Sequence, residues 1–512
     1  MKRRASIAKA GDVIVSSWTA AAGIVVIAAV LWLTQRRIAA APMEEGFMLD
    51  LPLRVLHGAV PEKSFEFLYG PLALWIPAVI YAVFGATLAV ERAVGAAYVA
   101  VLATAFYLLG ARSSRVVGAV GALIALLLGQ YVGDIGHLSA LPLTGALAFG
   151  ALGVAVAGSP RDGIQFDLGA GVLLGLAADL RPEYAVFGVV AVATLALLGV
   201  RGRLVVLAFI AALVPYLVVV ALAGFENVWQ ALVVTALHLP GERLLPLSTE
   251  GHWAITALVA CAGEICVAIY IGWNRDRSPE TATVILLALL MALATSDFIQ
   301  RADGQHLETF VAILAPVGVL LGNHAYELGG RRLTPPTAVA VVVAIVALVT
   351  AGRIGETAAR SSMGAFVEGT TESYPVRNDG RSWLYSSASG ARDAARIVLA
   401  ADKIADSTRG ASLFVGTADL SQTPYVDNSF YFLLPHFIQR SHYYDFHPGI
   451  ALRDGSGLAD SVGSASVLIL TRIVFDEPNL SSRHGSQAAN DVVRTNYRLL
   501  VKAGSYFLYE RR

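Results

Sequence analysis

Two glutamates stand side by side in the stretch Met43-Glu44-Glu45-Gly46-Phe47-Met48-Leu49-Asp50. A carboxylate that stays wet enough to remain ionised can take a proton from an attacking hydroxyl, so Glu44 or Glu45 could serve as a general base. The other reading of such a pair is a solvated loop flanking a helix. Further along, Asp134 and His137 lie in Tyr131-Val132-Gly133-Asp134-Ile135-Gly136-His137, between two apolar runs. Ionisable side chains at membrane depth are costly and often functional, while capping a loop is an equally open role. Asp179-Leu180-Arg181-Pro182-Glu183 sets three charges between apolar runs, and Pro182 ends the first of them because it offers no backbone donor. The planar fork of Arg181 suits a phosphate; an ion pair with Asp179 would account for it as well. Asp297, Gln300, Arg301, Asp303 and His306 crowd another ten-residue turn. One His among scattered carboxylates is a weak metal signal, and a hydrogen-bonded imidazole is the simpler account. Glu264, alone in an apolar run, reads as a buried, protonated packing residue.

The elements that must position these residues are set by composition. The 512-residue chain is 56% hydrophobic and only 15% charged, and its mean hydropathy is +0.62. A soluble globular protein is nearer half apolar and a quarter charged. Net charge is zero, so no basic stripe points to nucleic acid. Both cysteines, Cys261 and Cys266, sit in one apolar run, which leaves the polar tail without a disulfide.

The run 13–34 follows Lys2-Arg3-Arg4 and precedes Ala39-Ala40-Ala41-Pro42, a superficial copy of a secretory signal. Its length is close to the roughly 20 residues of a span and exceeds a signal core of roughly 7 to 15, so it is expected to be an uncleaved first helix. Further apolar segments follow at 71–86, 92–110, 116–130, 138–157, 168–180, 184–200, 204–224, 253–273, 281–294, 307–322 and 337–352. Their many Gly and Ala residues fit helices packed closely in a bundle.

Orientation follows from basic loops, which are retained on the cytoplasmic side. Lys2 to Arg4, Arg112 with Arg115, Arg161, Arg201 with Arg203, Arg275 with Arg277, and Arg331 with Arg332 share one side if segment 71–86, short and carrying Pro71 and Pro77, is not a crossing of its own. About eleven transmembrane helices then remain. The amino end is expected in the cytoplasm, and the polar turns and the tail outside. The fold class expected is a polytopic α-helical membrane protein, with a transmembrane domain over 1–352 and a C-terminal soluble α/β domain over 353–512. In that tail, residues 391–404 read as an amphipathic helix, and 412–415, 431–434, 467–470 and 506–509 as strands. There is no Walker loop, Rossmann fingerprint, CxxC pair or His-Glu-x-x-His helix, so ATP-driven transport and zinc hydrolysis lose support.

Several motifs resemble those of the GT-C superfamily of membrane glycosyltransferases. They are the acidic pair after the first helix, Leu53-Arg54-Val55-Leu56-His57-Gly58-Ala59-Val60-Pro61, Phe67-Leu68-Tyr69-Gly70-Pro71-Leu72, and Phe84-Gly85. The Arg-Pro at Arg181 and the Gln-Arg-Ala-Asp-x-x-His-Leu run from Gln300 are similar to those of bacterial members. Glu44 stands where Asp is usual in that superfamily. The resemblance covers about the first 310 residues and is similar to the polyprenyl-phosphate-sugar-dependent, protein-mannosyltransferase-like group.

The resemblance implies transfer of a sugar from a polyprenyl-phosphate-linked donor to a cell-envelope glycan, lipid or protein outside the cytoplasm, at the cell (inner) membrane. Glu44 or Glu45 would be the base, and Asp134 would orient the acceptor or assist. Arg181, Arg301 and His306 would hold the donor phosphate, and His137 and Asp303 the acceptor. No cofactor is required, although some relatives use a divalent cation. The competing class is a transporter or flippase of a lipid-linked or small polar substrate. Such proteins commonly carry internal repeats and midplane sites, whereas here no repeat is evident and the polar clusters lie at segment ends.

Overall fold

The computed structural model describes residues 2–132, 135–159, 163–199, 203–235, 237, 252–274, 278–300, 304–328, 373–408, 410–422, 426–444, 446, 449–472 and 485–512; of residues 2–18 it describes the backbone. The segment expected to span at 337–352, and the basic loops at Arg161, Arg201, Arg275 and Arg331, lie outside these. The chain forms two compact units. One comprises Met1–Gln35, Ala93–Val214 and Pro246–Met363, the other Arg36–Arg92, Pro215–Leu245 and Gly364–Arg512.

The first unit is helical. Its helices are α1 (Lys2–Gln35), most of α4 (Leu88–Gly110), α5 (Arg115–Leu128), α6 (Pro142–Ala157), α7 (Ile164–Leu180), α8 (Glu183–Leu198), α9 (Arg203–Ala212), α12 (His252–Asn274), α13 (Pro279–Gln300) and α14 (Gly304–Leu328). Among the described residues, five stretches are long and apolar enough to cross a membrane: Leu88–Gly110, Arg203–Ala223, Ala254–Ile271, Pro279–Ile299 and His306–Glu327. Shorter apolar helices accompany them, so the protein is multi-pass. Small residues let these helices approach closely, as their composition suggested. A Cβ added at Gly171 of α7 would stand 2.4 Å from the Val205 carbonyl oxygen and 2.7 Å from the Ala208 Cβ, both on α9. The apolar run 204–224 divides at Leu213, where Pro215 removes a backbone donor, into α9 and α10 (Val214–Ala223).

The second unit contains α2 (Glu44–Leu56), α3 (Leu72–Phe84), α10, α11 (Phe225–Trp229) and the tail. The acidic pair therefore opens a helix, where a loop was expected. Pro52 and the mixed polarity of this stretch hide the helical period. At 1.5 Å per residue α3 is about 20 Å long, short of the roughly 30 Å hydrocarbon core, and it packs on α2.

In the tail, β1 (Tyr374–Asn378) and β2 (Arg381–Tyr385) form an antiparallel hairpin closed by Asp379 and Gly380, both at positive φ. A five-stranded sheet has the order β4-β3-β5-β7-β6, with β3 (Ser412–Thr417), β4 (Ile438–Gln439), β5 (Val467–Thr471), β6 (Tyr497–Ala503) and β7 (Tyr506–Arg511). Strands β3 and β5 pair in parallel and are buried throughout, which gives the continuous apolar runs seen in the sequence. The amphipathic run 391–404 is the centre of α15 (Ala388–Ser407). The stretch 431–434, expected as a strand, instead falls mainly in the short helix α16 (Ser429–Leu433). A four-residue apolar run carries no period of its own, and the Asp427 Oδ1 accepts from the Ser429 backbone N–H (3.2 Å), turning the chain there.

Candidate active site

The first turn of α2 holds Glu44 and Glu45, and their surroundings differ. Glu45 is fully buried. Arg92, at the start of α4 and equally buried, donates from Nε to Glu45 Oε1 (2.7 Å) and from Nη2 to Oε2 (3.0 Å). The Ala41 N–H donates to the same Oε2 (2.8 Å). A bidentate guanidinium and a backbone amide thus occupy both oxygens in a low-dielectric site, the arrangement that makes a buried charge pair tolerable. Arg92 also donates from Nη1 to the Ile38 carbonyl (2.9 Å), so the pair ties the stretch after α1 to the head of α2. Glu44 beside it is half-buried.

The rest of α2 is anchored as firmly. A Cβ at Gly46 would lie 2.8 Å from the Asn428 Cβ, so glycine allows the close approach of α2 to the tail. The Tyr81 hydroxyl of α3 donates to the Met48 carbonyl (3.1 Å). Asp50 is buried, and its Oδ1 accepts from Gln439 Nε2 (2.7 Å), whose Oε1 in turn accepts from the Tyr444 hydroxyl (2.9 Å). Burial pushes the Asp50 carboxyl above its ordinary range, against the pull of Arg54 and Gln439. Arg54 donates to the Tyr444 hydroxyl and stacks 4.8 Å from the Phe65 ring centroid. None of Arg92, Gln439 and Tyr444 was singled out from sequence. Only Arg92 carried a signal, a charge in the first turn of an apolar helix that must find a partner.

The first unit carries the other site residues that the structure describes. Asp134 lies outside the described residues, but the flanks of its segment are fixed. The Tyr131 carbonyl accepts from Thr309 Oγ1 (3.0 Å), the Val132 carbonyl from Thr144 Oγ1 (2.6 Å), and the Leu138 N–H donates to Gln35 Oε1 (2.8 Å). His137 is buried within it. Arg181 pairs with Glu183 and lies 3.9 Å from Asp297, not with Asp179. It therefore joins the 179–183 turn to the end of α13. His306 is half-buried at the start of α14, while Arg301 and Asp303 lie outside the described residues. Glu264 is buried in α12, as expected, and neither carboxyl oxygen has a hydrogen-bond partner. No cluster of three or more His, Cys, Asp or Glu able to hold a metal occurs among the described residues.

No protein-family model and no curated protein matches the chain. Among solved structures it is similar to ArnT from Cupriavidus metallidurans. With the form bound to undecaprenyl phosphate the TM-score is 0.56 at 14% identity, covering 95% of this chain and 97% of that one. With the apo form it is 0.56 at 14% identity, covering 98% of each. At that identity the likeness is one of architecture, and it extends over nearly the whole chain. The protein shares its fold with ArnT.

Proposed function

We propose that the protein is an integral membrane glycosyltransferase that moves a sugar from a polyprenyl-phosphate-linked donor to an extracytoplasmic cell-envelope acceptor, with Glu44 as the base. The observation that carries the assignment of the base is the saturation of Glu45 by Arg92 and the Ala41 amide. Both Glu45 oxygens accept from fixed donors, which holds that carboxylate against Arg92 and away from solvent. Glu44, one residue away and half-buried, keeps an edge toward solvent. The likeness to a structure with undecaprenyl phosphate bound supports a lipid-phosphate leaving group. A fixed donor at that phosphate accelerates departure because its charge grows in the transition state.

In this reading Arg181, Arg301 and His306 meet the leaving phosphate, Asp134 orients the acceptor or assists, and His137 and Asp303 contact it. Arg181 stands closer to Glu183 than to Asp297, so phosphate binding would displace the Asp297 contact first. The transmembrane domain over 1–352 carries the chemistry, a divalent cation is optional, and the tail from 353 lies outside the membrane with the amino end in the cytoplasm.

The test is transfer by the purified protein from a panel of polyprenyl-phosphate sugars to envelope-type acceptors. Glu44→Gln is expected to lower the rate by roughly 10²- to 10⁴-fold, the contribution of a positioned base, with the thermal midpoint unchanged. Absence of transfer from every donor would sink the enzymatic reading; wild-type rates in Glu44→Gln would sink the assignment of the base.

A further inference from the structure

Within the second unit, three separate stretches of chain wall an open cleft of about 280 Å³. The connection between α2 and α3 gives Glu62 and Glu66, the stretch from α11 into the following π-helical turn gives Asn227 and Gln230, and a tail loop gives His442, Tyr443 and Arg453. The chemistry proposed above uses none of these residues.

Three features show that the cleft is shaped. Glu62 holds φ at +64°, a left-handed conformation that residues other than glycine seldom adopt and that recurs at ligand sites. Its side chain is buried against the wall, where Oε2 accepts from the Phe67 N–H (3.4 Å). The stretch Gln230–Thr235 is a π-helix, a rare form that is frequent at functional sites. The Tyr443 hydroxyl donates to the Ser456 carbonyl (2.8 Å), which fixes the ring on the wall.

The balance of charge selects the ligand. Burial raises the Glu62 carboxyl well above its ordinary value, opposed only in part by the Phe67 amide, so it tends to the neutral acid. Burial, with Arg54 nearby, holds the His442 imidazole below its ordinary value and therefore neutral at pH 7, with one donor and one acceptor. The two formal charges left on the wall, Glu66 and Arg453, cancel. A phosphate or an amine would bring a charge that the wall as a whole does not offset. Asn227 spends its Nδ2 on the Ala223 carbonyl (2.8 Å), which leaves its oxygen to accept, and Gln230 offers both kinds of group. Mixed donors and acceptors beside an aromatic wall match hydroxyl groups, each of which donates and accepts. The volume sits at the small end of ligand sites, roughly 300 Å³ and upward.

We propose that this cleft is a specificity subsite that binds one neutral sugar residue of the acceptor. The proposal rests on the glycosyltransferase reading for the word acceptor, but binding itself is measured without transfer. Full-length protein in detergent would be titrated with neutral methyl hexosides and pentosides, with glucosamine and glucose 6-phosphate as charged counterparts, by calorimetry and saturation-transfer NMR. At least one neutral glycoside is expected to bind more tightly than both charged sugars. Gln230→Ala should raise its Kd about tenfold, the effect of a lost hydrogen bond, and Gln230→Trp should abolish binding by filling the cleft. Both changes are at an exposed position, so the fold should tolerate them. Glu44→Gln should leave binding unchanged. The subsite is overturned if no neutral glycoside binds, if a charged sugar binds better, or if both Gln230 variants bind as wild type. A protein that binds the glycoside through Gln230 and transfers no sugar would overturn the catalytic reading alone.

Discussion

At the residue scale, the two adjacent glutamates have opposite fates. Glu45 and Arg92 are both fully buried, so removing one leaves the other charged and unpaired in a dry site. Arg92→Ala is expected to destabilise by about 3–5 kcal/mol, read as a large fall in thermal midpoint, whereas Glu44→Gln should leave the midpoint within a degree or two. Equal losses in the two variants would refute the division of roles. A second residue-scale consequence concerns pH. Asp427 is buried and accepts from the Ser429 backbone and from the Tyr506 hydroxyl (3.1 Å). Burial outweighs these hydrogen bonds and pushes its pKa up to about 6 from an ordinary 3.8. The folded state therefore holds the proton more tightly than the unfolded state. The contribution of Asp427 to stability should be full below about pH 4, be lost by roughly 3 kcal/mol as pH rises through 6, and stay level above it. Asp427→Asn should flatten that slope in denaturation curves taken across pH 4 to 7; an unchanged slope would assign it to other groups.

At the scale of elements, close helix approach in the first unit depends on residues without side chains. The α7–α9 contact has no room for a Cβ at Gly171. Gly171→Val should force the helices apart and cost at least the 1–3 kcal/mol typical of overpacking, visible as a lower midpoint in detergent. The same substitution at Gly23, which has nothing within 4 Å of its Cβ position, is the control and should be nearly silent. In the second unit, α2 is held at its head by Arg92 and along its length by Gln439 and Tyr444. Rigid elements hold side chains in place better than loops do, and α2 is fixed both at its head and along its length. Phe225 and Trp229 stack on the exposed side of α11, with ring centroids 5.9 Å apart, as aromatic anchors do at a membrane–water interface.

At the scale of the whole molecule, the prediction is topological. If α3 is not a crossing, Arg115 faces the cytoplasm and the tail faces outward. In a Cys266→Ala background, Arg396→Cys on the exposed face of α15 should react with an impermeant thiol reagent in intact cells, and Arg115→Cys only after lysis. Labelling of Arg115→Cys from outside, with Arg396→Cys protected until lysis, would restore α3 as a span. The division of the chain into units that interleave in sequence gives this outcome a structural counterpart, since the stretches 36–92 and 364–512 pack as one body and are expected on one side of the membrane.

The sequence by itself determined the class of protein. Apolar runs of near-span length, rich in Gly and Ala, have few folds open to them other than a helical bundle in lipid, and the order of short motifs was sufficient to suggest the GT-C fold. It also placed α15 and the strands β3, β5 and β7, whose periods or β-rich runs are strong. The tertiary structure decided what the polar residues do. That Glu45 is spent on a guanidinium 47 residues away, that Arg181 lies 3.9 Å from Asp297, and that Asp50 meets Gln439 in the tail are long-range pairings that leave no local pattern. The hairpin at Asp379-Gly380 was missed from sequence, because its flanking strands are only five residues each and show weak alternation. Local period fixes which residues form an element; the partner of a buried charge is fixed by which elements pack together, and only the folded chain specifies that.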